Sequence, residues 1–135
     1  MKMKTITYKI EVKPQLVLDI ITTAHDAGAC NYFLTKHPTF LCANWYEQLK
    51  ADPTLWDVFA WVLYIDDGTP KGKPQQITYS RIVKGLQKML NDELAGKYKN
   101  PWTRVTDVIT GQNFCSSNFA QEVIQYAIFG KVIFA

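Results

Sequence analysis

Residues 116–135, SSNFAQEVIQYAIFGKVIFA, constrain the fold more than any other stretch of this chain, because they spell a helix with both of its ends marked. Ser116 or Ser117 can accept hydrogen bonds from the free amides of a first turn. Ala120, Val123, Ile124, Ala127 and Ile128 then recur at helical spacing, and Gly130 permits a left-handed exit into a short closing strand over Lys131 to Phe134. A helix with such an apolar face must pack against something, so the chain is expected to form a core.

The 135 residues are 47% hydrophobic, enough for one domain spanning residues 1–135 with a core of ordinary size. No apolar run reaches the length of a bilayer crossing, and Lys2 and Lys4 lead straight into a strand-like pattern rather than into a leader sequence. The chain therefore reads as soluble and cytoplasmic. Cys30, Cys42 and Cys115 make an odd count without a C-x-x-C pair, the pattern of reduced thiols and not of a disulfide framework. The net charge of +3 is mild, and only Arg81 and Arg104 among the fifteen basic residues are arginines. A dedicated nucleic-acid binder concentrates guanidinium groups, so this class is not supported.

Alternation over Thr5 to Val12 predicts a half-buried strand. Pro14 suits the first turn of a helix whose stripe is Leu16, Val17, Ile20, Ile21 and Ala24, with Gly28 as its stop. Cys30 to Pro53 has no clean period and reads as irregular, with one short helix near Asn44 to Lys50. Val58 to Ile65 is continuously apolar and β-branched, which predicts a central strand covered on both faces. Ile77 closes a short strand, Thr78 or Ser80 caps a helix with Ile82, Val83, Leu86, Met89 and Leu90 inward, and Gly96 stops it. Pro101 opens a further short helix through Val105, Val108 and Ile109 to Gly111. Together these elements predict an α+β fold, a mostly antiparallel sheet with helices packed on one face.

The common motifs for phosphate loops, nucleophile elbows and zinc helices are absent from the sequence. His25, Cys30, His37 and Cys42 supply zinc-type ligands, but their spacing lacks the usual knuckle, so neither metal nor cofactor is expected. Cys115 stands beside a helix start, where a dipole can favour a thiolate, and a half-buried structural thiol fits the same position. Asp66 and Asp67 fit turn chemistry as well as acid–base work. Two features suit binding. Lys71 and Lys73, followed by Arg81, Lys84 and Lys88, would set positive charge around a helix start. Asn31, Tyr32 and Phe33, with Trp45 and Tyr46 behind them, offer amide and stacking surfaces.

The segment His25 to Phe33 and the closing segment Ala120 to Phe134 together resemble a family of small, uncharacterised phage and prophage proteins. Gly28 and Tyr32 match that family's first motif, and Ala120, Gln125, Ala127, Phe129 and Gly130 match its last. Lys84, Gly85 and Leu86 correspond to its middle helix. The chain departs from the pattern at Ala27 and Gln121, where the family carries acidic residues. The resemblance implies no established activity. It implies a phage protein acting on its host by binding and blocking, in the host cytoplasm.

The reading that follows is a non-enzymatic binding protein antagonising a host defence function. It would either sequester a small anionic, nucleotide-derived signal or occupy a host protein. Its expected ligand site joins Asn31, Tyr32 and Phe33 to Lys73, Arg81 and Lys84, across a homo-oligomer interface if one chain does not unite them. The alternative is a small hydrolase or nucleotide-modifying enzyme using Asp26, Asp66 or Asp67 with His25 or His37.

Overall fold

The computed structural model describes residues 11–26, 34–40, 47, 50–51, 61–65, 73–98, 100 and 103–132. The elements in chain order are helix α1 (Pro14–Asp26), strands β1 (Leu34–Phe40), β2 (Trp61–Ile65) and β3 (Lys73–Ile77), and helices α2 (Tyr79–Leu94), α3 (Val105–Ile109) and α4 (Ser117–Phe129). No helix among the described residues is long and apolar enough to cross a membrane.

Helix boundaries follow local chemistry. Pro14 opens α1, where its missing amide costs nothing. Thr78 caps α2 by accepting from the Arg81 amide at 3.2 Å, and Ser116 caps α4 by accepting from the Phe119 amide at 3.2 Å. Gly96, Gly111 and Gly130 all lie at positive φ just beyond helices, where a side chain would be strained. Helix α3 has no cap of its own. Glu93, near the end of α2, provides one by accepting from the Val105 amide at 2.8 Å through Oε1.

The core is a helical one. Val17, Ile20 and Ile21 of α1 meet Ile82, Leu86, Met89 and Leu90 of α2 and Phe119, Ala120, Val123 and Ile124 of α4, all at or below 1% exposure. Helices α2 and α4 make the broadest helix–helix contact, and Gly85 makes it close: a Cβ added there would stand 2.9 Å from the backbone nitrogen of Ala127. Glycine is required at this crossing because the two backbones occupy the space a side chain would need.

This arrangement corrects the expected α+β fold with a mostly antiparallel sheet. Of the residues described with their side chains, 65% are helical and 7% are strand, the latter a single short strand. The physical reason lies in β3 itself: Lys73, Pro74 and Gln76 are exposed, and only Ile77 is buried in the core. The backbone pairs β1, β2 and β3 antiparallel in that order, so β2 lies between its neighbours as the apolar run Val58 to Ile65 suggested. The irregular stretch expected after Cys30 contains β1, and Glu47, Lys50 and Ala51 are helical where a short helix was expected. Lys131 and Val132 are not in a strand, and most of the expected strand Thr5 to Val12 lies outside the described residues.

Candidate functional site

Arg81 sits in the first turn of α2, half-buried, and its guanidinium reaches three acceptors at 2.9 Å each. Nε donates to Ala127 O, Nη1 to Gln76 O and Nη2 to the Gln75 side-chain Oε1. Ala127 O belongs to the last turn of α4, where a carbonyl has no amide of its own helix to accept from. Arg81 thus ties β3 and α2 to the C-terminus of α4 and places positive charge at the negative end of that helix. Burial lowers its pKa from the ordinary value. Lys73 begins β3 and Lys84 lies one turn beyond Arg81, both exposed. Asn31, Tyr32 and Phe33 lie outside the described residues.

A second cluster joins carboxylates to phenols between α2, the segment after it and α4. The Tyr126 hydroxyl donates to Asp92 Oδ2 at 2.9 Å, while Asp92 Oδ1 stands 3.3 Å from Lys88 Nζ. Tyr98 packs edge-on against Tyr126, with ring centroids 6.1 Å apart, and shares a hydrogen bond with Glu122. Burial, with the neighbouring carboxylates, raises the pKa of both phenols. Glu93 Oε2 is buried with no hydrogen-bond partner. Burial raises the Glu122 pKa above its ordinary 4.5, and the Tyr98 hydroxyl opposes the shift.

This raised value sets a pH dependence. A carboxyl that is easier to protonate in the folded chain stabilises it fully below the unfolded value, and that contribution is lost as pH rises through the folded value. Glu122→Gln should therefore flatten the fall in stability above about pH 4.5, read by urea denaturation across a pH series. An unchanged slope would show that Glu122 does not carry it.

A groove of about 280 Å³ opens between the start of α1 and the α3–α4 connection. Lys13, Gln15, Leu16 and Asp19 line one side, and Val108 to Gly111 with Asn113, Phe114 and Cys115 line the other. The Gln15 Nε2 amide donates to Asp19 Oδ1 at 2.8 Å on the exposed face of α1. The Asn113 Oδ1 accepts from the Phe114 amide at 2.9 Å, and the Phe114 ring is 76% exposed at the rim. The Cys115 thiol is pushed up to about 12 by burial and by the charge of Asp19, so it stays protonated at neutral pH, contrary to the thiolate its position beside a helix start allowed.

None of Lys73, Arg81 and Lys84 lines this groove. Of the residues considered for hydrolysis, His25 is exposed at the end of α1, Asp26 is the last residue of that helix and His37 lies in β1, while Asp66 and Asp67 lie outside the described residues. Among the described residues no group of three or more His, Cys, Asp or Glu side chains could hold a metal. Sequence reasoning missed the groove because its walls come from segments about ninety residues apart, each unremarkable in its own stretch. The exposed Phe114 beside a helix cap was the one signal that could have drawn attention to it.

Compared with family models, curated proteins and solved structures, the chain finds no match.

Proposed function

We propose that this is a non-enzymatic binding protein whose groove sequesters a small anionic ligand of the nucleotide class, in keeping with the resemblance to phage proteins that block host functions. The observation that carries the reading is the exposed Phe114 ring on the rim of a groove that also holds Lys13. An aromatic face left in water beside a cation suits a ligand with a planar base and a phosphate. The groove's titratable groups argue for retention and not turnover. Among the described residues they are Lys13, Asp19 and a Cys115 thiol held protonated, and none of these described lining residues is a histidine.

The test is to incubate the purified protein with a panel of mononucleotides, dinucleotides and cyclic nucleotides, separate the complex, and recover the ligand after heat denaturation. Intact recovery is the expected result, with retention weakened by at least about fivefold in Phe114→Ala through lost stacking. A chemically altered ligand would replace the reading with an enzyme. Retention of none of the panel would leave the host-protein inhibitor in its place.

A further inference from the structure

The groove's charge pattern and size limit what kind of nucleotide it can take. Resting on the binding reading above, we infer that the groove selects a nucleotide carrying a single phosphate, the base on Phe114, the phosphate at Lys13 and the ligand's hydroxyl or amino donors at Asp19 and Gln15. Among the described residues that line the groove, Lys13 is the one cation and Asp19 the one carboxylate. One phosphate can be matched by Lys13, whereas each further phosphate would extend negative charge toward the Asp19 carboxylate, with no second cation among the described lining residues to offset it.

Asp19 accepts from the Gln15 amide at 2.8 Å one turn away on the exposed face of α1, a weak bias toward the orientation that lines the groove. Its charge is felt across the groove, since it adds to the upward push on the Cys115 thiol. The carboxylate and the Gln15 side-chain carbonyl offer an acceptor edge, the chemistry that takes ribose hydroxyls or an exocyclic amino group. The volume, about 280 Å³, lies just below the range of ligand pockets, which run from roughly 300 to 1,000 Å³. It favours one base and one phosphate over a dinucleotide.

The test is calorimetric titration of the full chain with adenosine and uridine monophosphates and triphosphates, without magnesium and at fixed ionic strength. The monophosphate of each base should bind at least about tenfold more tightly than its triphosphate. Asp19→Asn should narrow that ratio by strengthening the triphosphate, and Lys13→Gln should weaken the monophosphate. Asp19→Ser serves as a second variant, and circular dichroism confirms that each is folded. A triphosphate binding as tightly as its monophosphate, or a ratio unmoved in both folded Asp19 variants, overturns the selectivity while leaving the binding reading intact. Binding of neither kind of nucleotide, together with no retention in the recovery experiment, overturns both.

Discussion

Phe119→Ala should destabilise the protein by about 3–5 kcal/mol, the range for removing a fully buried aromatic side chain. Phe119 is 0% exposed and among the largest side chains wholly enclosed in the core. Its backbone amide is also the donor held by the Ser116 cap, so the ring is fixed at the first turn of α4 and its neighbours cannot readily close over the void. Since small domains are typically stable by only about 5–15 kcal/mol, a large part of the folding free energy would be lost. The urea midpoint should fall sharply with an unchanged slope. A loss below about 1 kcal/mol would mean that the site collapses around the truncated side chain.

Arg81→Ala should cost about 2 kcal/mol in thermal or urea denaturation, a value discounted for the partial exposure of the guanidinium. The loss has two sources. Three hydrogen bonds at 2.9 Å disappear, and Ala127 O at the end of α4 is left without its donor. Arg81→Lys should recover less than half of the loss, because an ammonium group cannot reproduce the planar fork that reaches acceptors on β3 and α4 together. A fully stable Arg81→Ala variant would show that the clasp contributes nothing.

Arg81 also illustrates what the sequence could and could not convey. Its place one turn into a capped helix was legible, because Thr78 and the stripe from Ile82 to Leu90 are local signals. Its partners were not. Ala127 lies 46 residues away, and no periodicity marks which carbonyl a guanidinium will reach. Read without that partner, Arg81 offered either a phosphate contact beside Lys73 and Lys84 or a solvated helix face, and its structural clasp on α4 was not legible. The fold class went astray for a related reason. The run Val58 to Ile65 announced a strand strongly, and β2 does lie between two others, yet a strong strand pattern in one segment does not set the share of helix in the rest of the chain. Lys73, Pro74 and Gln76 of β3 are exposed, and among the described residues nearly all of the core comes from the helices. The caps at Thr78 and Ser116 and the glycine stops at Gly96, Gly111 and Gly130 were read correctly because each depends on a few adjacent residues.

The contact between Gly85 and Ala127 governs how the molecule can move. Helices that meet through flexible side chains can slide past one another by small shear displacements, each absorbed by a change of rotamer. At Gly85 no side chain intervenes, and the backbone of α4 is seated in the gap, so displacement along the axis would drive main chain against main chain. The Arg81 clasp adds a second point of fixation on the same pair of helices. Helices α2 and α4 are therefore expected to move as one unit, so that relative displacement is left to the α1 side, where the groove opens.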